Sequence, residues 1–429
     1  MGIKKDLEEL LEAQVISAET AHQIRSYYQS KEASGPNRLF VVFGVLGATL
    51  VGLGIILILA HNWDQLSRIL KTIIAFTPLL IAQGLCAYTL FKQTNSRAWR
   101  EASSAFLFFM VGACMSLISQ IYNIPGSVGS FLFIWMLLCL PLLYIMGSSV
   151  ASILYIVGIT YYANETGYFR GPFDSAYWYW PMLLAALPHY FQLLKRSPGS
   201  NLLNFHHWVI PLSLIISLGT IGRGSTAILL FIAYFSLLSM LYQFGGSDFF
   251  HKIKARNNGY LRLGSLGMVI ILLILSFNWV WEDMIRLDLS WGAIFSSHEF
   301  FVTLVLTLLA IVLFYKYKKD KSWESIKPLE PLFLIFPIVF IAGFATSLAP
   351  ILINIILLVV GVLTIRRGAQ QDHLGILNYG LLIITALVVC RFFDSNWSFV
   401  LRGVLFVLIG IGFFVANYLM LKKRSEDEA

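Results

Sequence analysis

Two stretches of this chain, 129–163 and 331–365, each run for 35 residues without a charged side chain. As one straight helix, such a run would be about 52 Å long against a bilayer core of about 30 Å. Each therefore predicts two spans joined by a turn, the first at Gly147-Ser148-Ser149 and the second at Ser347-Leu348-Ala349-Pro350. Water is excluded as the solvent for most of the surface. Of the 429 residues, 58% are hydrophobic and 13% charged, with a mean hydropathy of +0.74, whereas a soluble chain carries roughly 25% charged residues.

The remaining apolar runs extend the same pattern. Runs bounded by charge or turn residues fall at 39–60, 69–91, 102–122, 129–146, 149–164, 177–194, 207–221, 226–244, 260–280, 299–315, 331–347, 349–365, 374–393 and 399–421. The expected fold is all-α, a polytopic transmembrane helical bundle of about fourteen spans. The 207–221 run is short enough to be re-entrant, which leaves thirteen as the alternative. Residues 1–35 read as a helical hairpin: Leu7, Leu10, Leu11 and Val15 recur at helical spacing, and Ser17 offers an N-cap to a second helix. The bundle then occupies 36–421 and a charged tail 422–429. The N-terminal segment is charged and amphipathic, so no cleavable signal peptide is expected and the first span serves as the insertion signal.

Orientation follows from the cations. Of the 31 Lys and Arg residues, 24 fall on loops of one side, including Lys92, Arg97, Arg100, Lys195, Arg196, Arg366, Arg367 and the terminal Lys422-Lys423-Arg424. The other side holds only Arg68, Lys71, Arg170, Arg223, Arg286, Arg391 and Arg402. By the positive-inside rule both termini are expected in the cytosol. The net charge of +8 is then a topology signal, and no nucleic-acid partner is expected. Gly44, Ala48 and Gly52 give the first span a smooth face suited to a central helix. Tyr177-Trp178-Tyr179-Trp180 reads as an aromatic belt at the outer interface. The four cysteines all lie in apolar runs with no CxxC spacing, which suits packed or lipid-facing thiols.

The chemistry these residues permit is narrow. No Walker loop, HExxH, GxSxG elbow or GxGxxG motif occurs, so no cofactor and no metal are expected, and the loops are too short for a soluble catalytic domain. The middles of the spans lack Asp, Glu, Lys and Arg. His189, with Gln192 beside it, is the most prominent polar group there, alongside Gln83, Gln120, Asn354, Asn378 and Asn417. The expected role of His189 is a helix-to-helix hydrogen bond.

The outer rim is richer. The stretch from His61-Asn62-Trp63-Asp64 through Arg68 and Lys71 joins the first two spans, and Arg391-Phe392-Phe393-Asp394 followed by Arg402 joins the last two. A third Asn-Trp stands at Asn278-Trp279. One reading makes these turns ion-paired hairpin locks. The other makes Asp64, Arg68, Lys71, Arg391, Asp394 and Arg402 a substrate-binding set for an anionic group such as a lipid phosphate, which arginine holds bidentately. Metal binding by His61 and Asp64 is the third.

The N-terminal helices with their Val15-Ile16-Ser17 turn, the Gly-rich first span and Ala60-His61-Asn62-Trp63-Asp64 together resemble a bacterial family of predicted membrane proteins. That family is defined by an N-terminal domain of unknown function, and the likeness covers roughly residues 5–95. The ending Asn378-Tyr379-Gly380, Arg391-Phe392-Phe393-Asp394 and Arg402-Gly403 is similar to the C-terminal part of such proteins. The resemblance implies a multi-pass protein of the bacterial cytoplasmic (inner) membrane and brings no substrate. The expected function is binding or transport of an amphipathic, anionic lipid or lipid-linked substrate through a site open to the outer face, without catalysis. The alternatives are a membrane-embedded transferase or polymerase using a polyprenyl-phosphate donor, and a scaffold whose N-terminal hairpin recruits a cytosolic partner.

Overall fold

The computed structural model describes residues 7, 10–13, 15–33, 63–169, 173–222, 224–250, 253, 255–285, 290–319 and 326–394, with scattered positions between 400 and 418. The span expected at 39–60 with its Gly44, Ala48 and Gly52 face, the residues His61, Asn62 and Arg402, the side chain of Asp394 and the tail at 422–429 lie outside the described residues. The chain divides into two compact units, Met1–Ile74 and Ala75–Ala429.

In the first unit, helix α1 (Ala18–Ala33) starts at Ser17, whose Oγ accepts from the Thr20 amide at 3.2 Å. A short turn, Trp63–Gln65, leads to α2 (Arg68–Lys92), where Ser67 Oγ accepts from the Leu70 amide at 3.3 Å. Side-chain oxygens placed one residue before a helix satisfy amides that have no intrahelical partner, so Ser17 and Ser67 set these starts.

The second unit continues with α3 (Arg97–Ile121), α4 (Val128–Ile145), α5 (Ser149–Asn164), α6 (Tyr179–Arg196), α7 (Asn201–Leu218), α8 (Leu230–Gly245), α9 (Gly259–Leu275) and α10 (Asn278–Ile285). Then come α11 (Trp291–Ser296), α12 (His298–Lys318), α13 (Leu332–Ala345), α14 (Ala349–Gln370) and α15 (Leu374–Asp394). No strand occurs among the described residues. Ser96, Ser127, Ser148, Ser200, Asn258 and Ser297 each cap the following helix through a side-chain oxygen.

Both long charge-free runs break where length requires. Gly147, at φ +59°, separates α4 from α5, a backbone conformation that a glycine adopts without the Cβ clash of other residues. Thr346 to Leu348 separate α13 from α14. The run read as 207–221 is a longer helix: Ser200 starts it at Asn201, and it continues in tighter turns to Ile221. At 21 residues it is long enough to cross, so length gives no reason for re-entry.

Among the described residues, eight helical stretches are long and apolar enough to cross a membrane. They are α2, α3, α4, α7 carried on to Ile221, Gly224–Gly245 containing α8, α12, α14 and α15, with α9 and α13 as shorter apolar helices. The described residues thus form an all-helical structure with several helices able to span a membrane.

Two apolar cores meet on α8. Ala233, Leu237 and Leu241 face the core built from α3 to α7, while Ile232, Phe235 and Leu238 face the one built from α9, α13, α14 and α15. Half of the α8 stretch is buried, against 6% of α12, which packs on α8 along one part-buried face and exposes the other. Close backbone approach builds the second core. A Cβ on Gly264 would stand 2.7 Å from Leu238 O and Tyr242 N, and one on Gly380 would stand 2.7 Å from Ile365 N. These glycines let α9 meet α8 and α15 meet α14.

The aromatic belt needs correction at one position. Trp178 is exposed, but Tyr179 is buried, and its hydroxyl shares a 2.7 Å hydrogen bond with Ser213 Oγ on α7. Successive helical residues differ by about 100° in direction, so four aromatics in a row cannot all face lipid.

Candidate functional site

Helices α2, α3 and α4 surround an apolar crevice of about 660 Å³. Trp135 of α4 lies over Gly112 of α3, where a Cβ would stand 2.5 Å from the ring, and its Nε1 donates to Phe108 O at 2.9 Å. Opposite, α2 is tied to α3 near its end: Cys86 Sγ donates to Ser103 O at 3.3 Å and Thr89 Oγ1 to Ser103 Oγ at 3.3 Å. The crevice opens sideways, since Phe91, Leu138 and Ile145 on its lining are 81%, 57% and 64% exposed. Gln83 supplies the one amide, and three of the four cysteines, Cys86, Cys114 and Cys139, line the wall. The volume falls within the range of about 300–1,000 Å³ of small-molecule sites.

No charged side chain lines the crevice, but cations stand close to one end of it along the chain. Phe91 and Met146 belong to its lining, and the residues next to them lead to charge. Lys92 follows Phe91 and is exposed, while Arg100 Nη1 stands 3.9 Å from where a Cβ on Gly147 would be. Arg100 Nη2 donates to Thr94 O at 3.4 Å, and exposed Arg97 lies 4.0 Å from Glu101. Tyr88 and Trp99 meet edge to face at 5.5 Å, both part-exposed, the pairing of amphipathic rings expected at headgroup depth. The residue pattern around Lys92, Arg97 and Arg100 held no motif. Only the convergence of three helix ends brings out their proximity to an apolar slot.

The rim residues separate by role. Asp64 and Arg68 are exposed, and no ion pair joins them among the described residues; Lys71 Nζ sits 5.5 Å above the Trp63 ring. Asp64 lies in the turn before α2, and Arg68 is the first residue of that helix. Arg391 is turned inward. Its Nη2 donates to Ser276 Oγ at 3.1 Å and its guanidinium lies 4.8 Å above the Phe277 ring. Asn354 Nδ2 donates to Ser276 O at 3.1 Å, so α14 and α15 both bind the end of α9. Arg391 thus joins the turn before Asn278-Trp279. The side chains of Asp394 and Arg402 lie outside the described residues.

A second polar group was only partly legible. His189, His206 and His207 are all buried, with Tyr190 stacked against His206 at 6.1 Å and edge-on to His207 at 5.9 Å. The helix-to-helix hydrogen bond expected of His189 belongs instead to His206, whose Nε2 is 3.0 Å from Ser152 Oγ and whose Nδ1 is 2.8 Å from Leu202 O. His189 makes ring contacts, at 6.4 Å to His206 and 6.5 Å to Tyr144. Among the described residues no cluster of His, Cys, Asp or Glu is arranged to hold a metal ion.

Residues 8–152 match the model of a family described as "Predicted membrane protein (DUF2157)", a family of unknown function. The matched segment starts in the N-terminal helices that carried the resemblance and extends beyond residue 95 through α2, α3 and α4 into α5, so it contains every helix of the crevice. No curated protein and no solved structure matches the chain.

Proposed function

We propose that this is a multi-pass protein of the bacterial cytoplasmic membrane, with both termini in the cytosol and about fourteen spans, that binds an amphipathic lipid or lipid-linked molecule. The observation that carries the proposal is the laterally open crevice between α2, α3 and α4, apolar along its length, with Lys92 following the lining residue Phe91 and Arg100 beside Gly147, which follows the lining residue Met146. A single alkyl or prenyl chain suits such a slot, because it can enter from the lipid side without dragging a polar group through the bilayer core. Asp64, Arg68, Lys71, Asp394 and Arg402 keep their place in this proposal as contacts for an anionic group on the outer side. Arg391 is better assigned to bracing α15 on α9. Movement of the bound lipid between faces is the transport form of the same reading.

The test is retention of lipid by the purified full-length protein, read by native mass spectrometry. Ala87→Trp and Val111→Trp each place an indole in the crevice and should remove a lipid that the wild type keeps. Equal retention by filled and unfilled protein would overturn the proposal. The transferase alternative draws on one observation: Asp64 is exposed and makes no hydrogen bond or ion pair among the described residues. If Asp64→Asn leaves the fold intact and abolishes transfer from a polyprenyl-phosphate donor in membranes, that alternative prevails.

A further inference from the structure

In a bilayer the apolar part of the crevice confers little selectivity. Lipid tails are as apolar as the leucines that line it, so no hydrophobic gain separates a chain in the slot from one outside. Choice among lipids must come from the polar end, where the dielectric is lower than in water and charges are poorly screened. Beyond that end stand Lys92, next to Phe91, and Arg100, beside Gly147, while the neighbouring acid Glu101 is engaged by Ser148 Oγ and the amides of Ser149 and Val150. Lys92 and Arg97 are exposed and Arg100 is half-buried beside Gly147. The Tyr88 and Trp99 rings set this level at the headgroups.

We infer that the crevice selects an anionic phospholipid from the leaflet on the Lys92 side, its acyl chain between α2, α3 and α4 and its phosphate on Lys92 and Arg100. This rests on the crevice reading above and adds headgroup and leaflet. The positive-inside pattern makes that leaflet the cytosolic one, so the lipid is taken at the face opposite to Asp64. Arginine supplies a planar fork for two phosphate oxygens and lysine a mobile point charge, a combination suited to a monoester or diester headgroup. Arg97 is the less available of the three because Glu101 stands beside it.

The experiment uses the full chain in nanodiscs of phosphatidylcholine with and without phosphatidylglycerol, with bound lipid identified by native mass spectrometry. Wild type should enrich phosphatidylglycerol over phosphatidylcholine. Lys92→Gln and Arg100→Gln should each lower the enrichment roughly fivefold, the effect of one cation at an anionic surface, while the number of bound lipids stays the same. Arg100→Lys should restore most of it, and Lys316→Gln on α12 should leave it unchanged. Ala87→Trp should lose the lipid itself. If Arg100→Gln fails to fold, Lys92→Gln alone carries the comparison. Unchanged enrichment in Lys92→Gln, or an equal fall in Lys316→Gln, overturns the inference and leaves the crevice reading intact. Wild type without bound lipid, with cross-links from Val111 to residues 39–60 or to a second copy, overturns both.

Discussion

The Ser148 hydroxyl donates to Glu101 Oε2 at 2.5 Å, and the same carboxylate accepts from the amides of Val150 at 2.8 Å and Ser149 at 3.2 Å. An acid on α3 therefore closes the N-terminus of α5, where the helix dipole and unpaired amides favour negative charge. Glu101→Gln keeps the shape but halves the accepting capacity and removes the charge, and should cost about 1–2 kcal/mol; Glu101→Ala should cost about 2–3 kcal/mol. Thermal unfolding in detergent reads both, and equal stability of Glu101→Gln and wild type would contradict the cap.

Arg391 bridges α15 to Ser276 and Phe277 at the end of α9. Truncation to alanine should destabilise by about 2–3 kcal/mol, because it removes a charged hydrogen bond and a cation–π contact together. Lysine should recover only part of the loss, since it lacks the planar guanidinium. Lipid retention by the folded Arg391→Ala protein should equal that of wild type. A selective loss of bound lipid at unchanged stability would return Arg391 to the substrate-binding set.

Gly380 and Gly84 make a paired test of packing. A Cβ on Gly380 would meet Ile365 N at 2.7 Å and Gly361 O at 2.8 Å, both backbone atoms, whereas one on Gly84 has nothing within 4 Å. Gly380→Ala should cost about 1–3 kcal/mol by forcing α14 and α15 apart. Gly84→Ala should be neutral or stabilising by up to about 1 kcal/mol, as alanine is the better helix former. The difference is measurable as unfolding temperature in one detergent.

The charge asymmetry predicts sidedness that thiol labelling checks. Asn95 and Gly199 are exposed in the turns that follow α2 and α6, on the cation-rich side. In a background lacking the four native cysteines, Asn95→Cys and Gly199→Cys should react with an impermeant maleimide only after the cells are opened. Asp64→Cys and Ser290→Cys should react in intact cells. The reverse pattern would invert the leaflet assigned to the crevice.

Several features were legible because they depend on local pattern. Ser17 sits one residue before its helix, and its short oxygen side chain caps an amide within the same turn. The turn at Gly147 follows from bilayer thickness together with a residue that tolerates positive φ. The helix α7 starts at Asn201, six residues before the apolar run at 207–221, because the polar residues Asn204, His206 and His207 lie within it, the two histidines buried.

What the order of residues determined by itself is the solvent: apolar runs with few charges fit a bilayer, and a bilayer admits helices whose backbone bonds close within the segment. The azimuth of each helix was decided only in the tertiary structure. Tyr179 turns inward to Ser213 while Trp178 faces out, Arg391 reaches a serine 115 residues away, and residues from α2, α3 and α4 come to wall one apolar slot. In chains this uniformly apolar, every helix face satisfies the lipid about equally, so hydrophobic pattern carries little information on direction. Close packing at glycines and a few interhelical hydrogen bonds select one arrangement.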